Sequence, residues 1–130
     1  MNKLNISFDF DSTLSEDCVQ EICKELQNAG HNIFVTTTRV PDHKLREHMN
    51  KHWNDDLWKV CNELNIPKEN VTFTEYINKY EILDKNGINI HIDDDEEEII
   101  LLNKNNCKCK GILLRQNNPE LLRIILNKHI

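Results

Sequence analysis

The segment Leu4-Asn5-Ile6-Ser7-Phe8-Asp9-Phe10-Asp11-Ser12-Thr13 begins with apolar and polar residues in alternation, which predicts a β-strand. The alternation ends at Asp11-Ser12-Thr13, a combination typical of a turn. Asp9 is unusual because it lies inside the apolar run, where an unpaired carboxylate is costly to bury. The segment therefore predicts a strand that delivers a carboxylate to its carboxyl end.

Strand and helix patterns alternate along the rest of the chain. Further strands are predicted at residues 32–37, 71–73, 88–92 and 111–114, the last starting near Cys109. Helices are predicted from a cap at Ser15 or Asp17 to Ala29-Gly30, from Asn54 or Asp55 to Leu64, at 76–83, at 96–104, and from Pro119 onward. The alternation predicts one α/β domain over residues 1–130, with a mostly parallel five-stranded sheet and helices on both faces. In such sheets, ligands bind at the carboxyl ends of the strands.

Composition argues against several classes of function. The 130 residues include 16 basic and 22 acidic side chains and carry a net charge of −6, so binding to duplex DNA is not expected. No apolar run approaches the roughly 20 residues that cross a bilayer, and no secretory leader is visible, so we expect a cytoplasmic protein without membrane contact. The five cysteines are odd in number, which favours reduced thiols in or near the core. The sequence predicts no particular oligomeric state.

Charged and hydroxyl side chains cluster at three predicted strand ends. Asp9 and Asp11 follow the first strand, Thr36-Thr37-Thr38-Arg39 ends the second, and Asp93-Asp94-Asp95 follows the fourth. Crowded carboxylates need either a proton or a hard cation, and Mg²⁺ accepts one or two carboxylates together with waters and a phosphate. Hydroxyls, helix-start amides and Lys79 could hold that phosphate. The residues therefore predict a phosphoryl site.

These residues resemble the motifs of haloacid-dehalogenase-superfamily (HAD) phosphatases, in the family's order and over nearly the whole chain. Asp9-Phe10-Asp11-Ser12-Thr13 is similar to the first motif, and Thr37, or with less support Thr36, to the Thr/Ser that ends the second strand. Thr37-Thr38-Arg39 resembles the Thr-x-Arg turn of many members, Lys79 the third-motif lysine, and Ile92-Asp93-Asp94 the double-Asp fourth motif. The resemblance implies a HAD-like Rossmannoid three-layer sandwich.

The resemblance also implies a role for each residue. Asp9 would attack phosphorus and form an aspartyl-phosphate, while Asp11 would serve as general acid and then general base. Mg²⁺ would be held by the Asp9 side chain, the Asp11 carbonyl and Asp94, with Asp93 in or next to the coordination shell. The phosphoryl group would be held by Thr37, Thr38, Lys79 and the amides after Asp9. Arg39 would either contact the phosphate or form a surface ion pair. An Asp at position 11 indicates a phosphatase or mutase rather than an ion transporter of this family.

Two other functions fit part of the pattern. A receiver domain has similar length, clustered acids, a Thr and a Lys, but its acceptor Asp ends the third strand, where this chain has Phe73-Thr74-Glu75. A non-catalytic phosphate-binding module on the same fold is the second alternative. The substrate is predicted only as an accessible phosphomonoester, with nucleotides and nucleic-acid ends among the candidates. Short connections after the first and third strands predict that there is no cap domain.

Two polar segments receive structural expectations. Glu96, Glu97 and Glu98 are expected to form a solvated helix start, with Asp95 as its cap. Residues 40–53 are longer than a simple turn and, with Arg39 at their base, carry Lys44, Arg46 and Lys51 in an acidic protein. This basic segment is predicted to capture an anionic substrate; a solvated helix with scattered charges is the alternative.

Overall fold

The computed structural model describes residues 3–46, 50–105, 108–115 and 118–130. The strands are β1 (Asn5–Phe8), β2 (Asn32–Thr37), β3 (Val71–Phe73), β4 (Ile90–Asp93) and β5 (Lys110–Leu113). The α-helices are α1 (Asp17–Asn28), α2 (Asp55–Glu63), α3 (Tyr80–Lys85), α4 (Glu96–Asn105) and α5 (Pro119–His129). All five strands form one sheet in the order β3-β2-β1-β4-β5, and every neighbouring pair is parallel. The predicted α/β class with a parallel five-stranded sheet is confirmed.

Several predicted boundaries were wrong by a few residues. The third helix begins at Tyr80 rather than at residue 76, because Glu75 and Tyr76 adopt left-handed φ angles of +55° and +69° that no α-helix accommodates. β1 ends at Phe8, since Asp9 begins a turn. β4 begins at Ile90 and extends to Asp93, one residue further into the acidic run than the alternation indicated.

One face of the sheet is apolar. Its residues pack with the buried faces of α1, α2 and α5 in a single cluster. The strand members of the cluster are Ile6, Phe8, Ile33, Val35, Ile90, Ile92 and Ile112, and the helix members include Ile22, Leu57 and Leu122. Since these strand residues alternate with residues of different character, period-two alternation assigns the whole set to one side.

The opposite face is covered by α3 and α4 and contains the polar strand residues. Phe34 of β2 packs there against a smaller apolar cluster of Leu83, Ile88, Leu102 and Cys109. Helix α4 packs so closely on β5 that a Cβ atom added at Gly111 would stand 3.0 Å from side-chain atoms of both Leu102 and Asn103. Helices therefore cover both faces of the sheet, as predicted.

The chain order creates a crevice at the centre of the sheet. The chain starts at β1, proceeds outward through β2 to β3, and then crosses to β4 on the other side of β1. The carboxyl ends of β1 and β4 flank this topological switch point, which is where parallel sheets of this kind bind ligands. The connections over residues 9–16 and 74–79 are short and hold no additional folded unit. Within the described ranges, no helix is both long and apolar enough to cross a membrane.

Candidate functional site

Three aspartates meet at the switch point. Asp9 follows β1, Asp93 ends β4, and Asp94 is the next residue. The Asp9 N–H donates to the Ile92 carbonyl at 2.9 Å, so the two strand ends are held in register directly below the acids. A carboxylate oxygen from each of the three aspartates lies within 4.8 Å of the others. The predicted convergence of the first and fourth strand ends is therefore observed.

The turn after β1 separates the two carboxylates of the first motif. Residues Phe10–Leu14 form one wide turn whose backbone is not helical at Asp11 and Ser12, and a 3.1 Å hydrogen bond from the Leu14 N–H to the Asp9 carbonyl closes it. Ser12 takes a left-handed φ of +59° within it. Phe10 is buried in the apolar cluster, whereas Asp9 lies inside the crevice and the Asp11 side chain is 57% exposed at its rim. The turn thus places one carboxylate inside the site and one at its entrance.

Lys79 connects the acids of the two strands. Its buried ammonium Nζ lies 2.7 Å from Asp9 Oδ1 and 2.8 Å from Asp93 Oδ2. The residue immediately precedes α3, and its backbone N–H donates to Glu98 Oε2 at 3.3 Å. Glu98 is itself buried, so the expectation of a fully solvated acidic helix start was wrong for this residue. Asp95 does cap α4, since its Oδ1 accepts the Glu97 and Glu98 N–H groups.

Burial and charge act in opposite directions on the two buried aspartates. Burial raises the pKa of Asp9 to about 8; Lys79 counteracts this shift and Asp93 adds to it. Burial also raises the pKa of Asp93, but the hydrogen bond from His91 and the charge and hydrogen bond of Lys79 outweigh it and lower that pKa to about 2. Burial lowers the pKa of Lys79, and the two carboxylates more than reverse the effect. The site therefore holds Asp93 as an anion and Lys79 as a cation.

The acidic cluster fits a divalent cation with oxygen ligands. Three carboxylates face a single ammonium group, which leaves an excess of negative charge, and Mg²⁺ is the hard cation that such oxygens prefer. Asp94 is half-buried, and its Oδ1 accepts from Thr13 Oγ1 at 3.0 Å. Asp93 already accepts from three donors: Lys79, His91 and the Asp95 N–H. Asp9 and Asp94 are therefore better placed as direct ligands than Asp93.

The hydroxyls at the end of β2 differ in what they contact. Thr36 Oγ1 is buried against Ser7 Oγ at 2.7 Å, on the face covered by α3 and α4. Thr37 Oγ1 accepts the Arg39 N–H at 3.3 Å and retains its own proton for donation. Thr38 is half-buried, and its carbonyl accepts the Tyr76 N–H at 2.7 Å. Both candidate threonines are buried, and Thr37 is the better candidate for donating to an anion because its Oγ1 only accepts here, whereas Thr36 is paired with Ser7.

Arg39 is buried between two carboxylates. Its Nε and Nη2 donate to both Asp11 oxygens at 3.0 and 2.7 Å, and its Nη1 and Nη2 donate to both Asp56 oxygens at 2.8 and 3.1 Å. Nη1 also donates to the Trp53 carbonyl, and the guanidinium stacks 5.0 Å from the centre of the Phe10 ring. The structure thus brings Arg39 to Asp11. A direct contact between Arg39 and phosphate stays a prediction, and it would replace one of these contacts.

The basic segment runs from the end of β2 to the start of α2. It contains a short 3₁₀ turn at Asp42–Lys44, and Asn54, at its end, donates to the Val40 carbonyl and to Asp42. Lys44 pairs with Glu75 at 2.9 Å, which links the segment to the loop after β3. Residues 47–49 lie outside the described residues. The role of the segment in substrate capture stays a prediction.

Sequence reasoning missed the residues that support the site from behind. His91 and Ser7 were recognised only as members of alternating strands, and Asp56 only as part of a helix start. The available signal was the strand alternation itself. In a sheet with helices on both faces, the polar residues of a central strand are also buried, so they require polar partners.

The fold and the site together define a Rossmann-like α/β protein with a lysine-bridged cluster of aspartates at the switch point of its sheet. No protein-family model matches the sequence, and no curated protein matches it at a significant level.

Proposed function

We propose that this chain is a Mg²⁺-dependent phosphomonoester hydrolase of the haloacid-dehalogenase type, with Asp9 as its nucleophile. The observation that carries the proposal is the triad of Asp9, Lys79 and Asp93. A buried ammonium group joins the nucleophile to a second carboxylate at 2.7 and 2.8 Å, at the one place in the sheet where a ligand is expected. The order of the sequence motifs and the wide turn after β1 support the same assignment.

The first chemical step transfers the phosphoryl group to the protein. An Asp9 carboxylate oxygen forms a bond to phosphorus, and the bond between phosphorus and the ester oxygen breaks. Asp11, at the rim, donates a proton to the leaving oxygen. Lys79 offsets the charge of the phosphoryl oxygens, and the Thr37 hydroxyl donates to one of them.

The second step regenerates Asp9. Asp11, now deprotonated, accepts a proton from a water molecule as the water oxygen bonds to phosphorus. The bond between phosphorus and Asp9 breaks, and inorganic phosphate leaves. Arg39 donates to both oxygens of Asp11, so in this proposal it positions the ionised Asp11 that acts as general base.

Mg²⁺ would be held by the carboxylates of Asp9 and Asp94 and by the Asp11 carbonyl, with Asp93 adjacent. When bound, it supplies positive charge to the phosphoryl oxygens. The cation also accounts for the electrostatics of Asp9, whose raised pKa reflects a buried carboxylate with too little compensating charge from Lys79 alone. The short connections around the crevice leave it open, which favours a large or accessible phosphomonoester such as a nucleotide or a nucleic-acid end.

The test is turnover of a panel of phosphomonoesters with Mg²⁺ and with excess EDTA. The panel contains p-nitrophenyl phosphate, nucleotides and 3′-phosphorylated oligonucleotides. We expect hydrolysis that EDTA abolishes and Mg²⁺ restores. A rapid acid quench followed by intact-mass spectrometry is expected to show one phosphoryl group on the wild-type chain, and peptide mapping is expected to place it on Asp9.

Three outcomes would contradict the proposal. Full activity in EDTA would remove the metal assignment. Absence of turnover across the panel, with phosphate binding retained, would favour the non-catalytic module instead. Stable phosphorylation by a small phosphodonor without turnover would favour the receiver-type alternative.

A further inference from the structure

A buried chain of hydrogen bonds runs behind the site and crosses three strands. Thr36 Oγ1 of β2 lies 2.7 Å from Ser7 Oγ of β1, and Ser7 Oγ lies 3.1 Å from His91 Nδ1 of β4. His91 Nε2 lies 2.9 Å from Asp93 Oδ2. All four residues are at most 2% exposed. The chain therefore links the strands that carry Thr37, Asp9 and Asp93, and it does so out of contact with bulk water.

The direction of every hydrogen bond in this chain follows from its acidic end. The Asp93 carboxylate can only accept, so His91 Nε2 must carry a proton. In the neutral ring with its proton on Nε2, Nδ1 is bare and accepts from the Ser7 hydroxyl at 3.1 Å. Ser7 Oγ in turn accepts from the Thr36 hydroxyl. A single tautomer of His91 satisfies all members of the chain.

The His91 contact controls the orientation of Asp93. Oδ2 of Asp93 accepts from both His91 and Lys79, and its Oδ1 accepts from the Asp95 N–H at 3.0 Å. The Lys79 ammonium group, which donates to the same Oδ2 atom as His91, also donates to Asp9 Oδ1. Without the hydrogen bond from His91, the Asp93 carboxylate could rotate. Its Oδ2 would then no longer hold the Lys79 ammonium group at a fixed distance from Asp9.

We propose that His91, in its Nε2–H tautomer and supported by Ser7 and Thr36, is a positioning residue that fixes Asp93 and thereby holds Lys79 against Asp9. The proposal rests on the function proposed above. It extends that function from the residues that contact the phosphoryl group to a set of residues beneath them. His91 does not contact the substrate in this proposal; it acts through Asp93.

The activity test uses two amide variants that replace different ring nitrogens. The Gln side chain can place an amide nitrogen near the position of Nε2, whereas Asn reaches only near the position of Nδ1. We expect His91→Asn to lower kcat for p-nitrophenyl phosphate by about 10- to 100-fold, the range typical of lost supporting hydrogen bonds at such sites, with little change in KM. His91→Gln should recover most of this loss.

Two further variants separate positioning from stability. Ser7→Ala removes the hydroxyl that joins Thr36 to His91 but leaves the contact between His91 and Asp93, so it should lower kcat by less than His91→Asn does. Phe34→Leu alters the apolar cluster on the same face and removes no hydrogen bond of the chain, although Phe34 stands opposite Ser7 in the register of β1 and β2. It should lower the Tm and leave kcat unchanged. If kcat falls in proportion to Tm across all of these variants, His91 is a structural residue only, and the proposal is overturned.

A spectroscopic measurement tests the arrangement independently of turnover. The full chain, labelled with ¹⁵N-histidine and assigned by comparison with His91→Gln, should show His91 with a protonated Nε2 and a bare Nδ1. The Nε2 proton should exchange slowly with solvent. An Nδ1–H tautomer would overturn the proposal. If His91→Asn had the kcat of the wild-type chain, the positioning role of His91 would be overturned and the proposed phosphatase function would stand. If the wild-type chain showed no turnover, the proposed function itself would fail.

Discussion

The two faces of the sheet are built on different principles. The face covered by α1, α2 and α5 is a continuous apolar cluster, to which β1, β2, β4 and β5 all contribute. The face covered by α3 and α4 has a small apolar cluster and, beside it, the buried chain from Thr36 to Asp93 that leads to Lys79. Neighbouring residues of one strand, such as Ile6 and Ser7, therefore belong to different kinds of interior.

This difference separates stability from positioning. Apolar burial contributes most of the free energy of folding and is tolerant of orientation, because it is non-directional. A buried hydrogen-bond network adds less net stability, but it fixes atoms in place, since each member has only one satisfied arrangement. We therefore expect changes on the first face to affect mainly the free energy of unfolding, and changes on the second to affect mainly kcat.

The largest expected effect on kcat comes from replacing Asp9, which Lys79 connects to the end of the buried chain at Asp93. Asp9→Asn should lower kcat by roughly 10⁴-fold or more, the order found when a covalent nucleophile is removed. The fold should persist, because the substitution keeps the size of the side chain and removes one of several crowded charges. The measurement is single-turnover hydrolysis with circular dichroism of the same sample. Near-normal kcat would show that Asp9 is not the nucleophile.

The opposite face should give the reverse result. Ile6 is fully buried and lies next to Ser7 on β1, so Ile6→Ala removes apolar contacts from the large cluster without touching the polar chain. We expect the free energy of unfolding in urea to fall by about 2–5 kcal/mol, with kcat of the folded protein retained. A loss of kcat as large as that of Ser7→Ala would mean that the two faces are not separable.

Asp9 also predicts how stability depends on pH when the metal is chelated. Burial raises its pKa from 3.8 to about 8, so between these values the folded chain binds a proton that the unfolded chain has released. The free energy of unfolding should therefore fall as the pH rises through this range, by at least about 1 kcal/mol. Asp9→Asn should lack this decline, as measured by urea unfolding in EDTA. Parallel pH profiles for the two proteins would contradict the shift.

The strand pattern and the strand ends of this molecule could be predicted from sequence, because both signals are local. Period-two alternation identified the strands, and carboxylates placed after apolar runs identified Asp9 and Asp93. The ion-pair partners of Arg39 could not be predicted in the same way. They depend on the first turn of α2, which contains Asp56, and on the turn after β1, which places Asp11 beside the Arg39 guanidinium.

The hydrogen-bond partners of Ser7 and His91 could not be predicted from the sequence either. Alternation shows which residues of a strand share a face, but not which residue of the neighbouring strand stands opposite. That pairing is set by register, here Ser7 with His91 and Ser7 with Phe34. The start of α3 was mispredicted for a related reason, since left-handed φ angles at Glu75 and Tyr76 are unusual for residues other than glycine.

Cysteines on the two faces allow the local stability of each to be compared. Cys61 of α2 lies in the large cluster and Cys109 in the small one, and burial raises their pKa values to about 11 and about 12. Neither thiol should react until its region opens. In chains whose only cysteine is Cys61 or Cys109, with the other four replaced, we expect Cys109 to be labelled at least about fivefold faster, since fewer apolar contacts hold its region closed. Equal rates under native conditions would mean that both faces open together.

The smallest expected effect concerns the basic segment, residues 40–53, which joins β2 to α2. If the α3–α4 side supports the chemistry, this segment should affect only substrate capture. Reversing the charges of Lys44 and Arg46 should raise KM for the natural substrate by about two- to fivefold at low salt, less at high salt, and leave kcat nearly unchanged. Lys44→Glu also breaks the pair with Glu75, so Glu75→Gln serves as the matched control for that contact alone.

A fall in kcat with constant KM would assign the segment to catalysis or stability. No change in either constant would move recognition to the loop after β3, where Tyr76 and Ile77 are each 69% exposed.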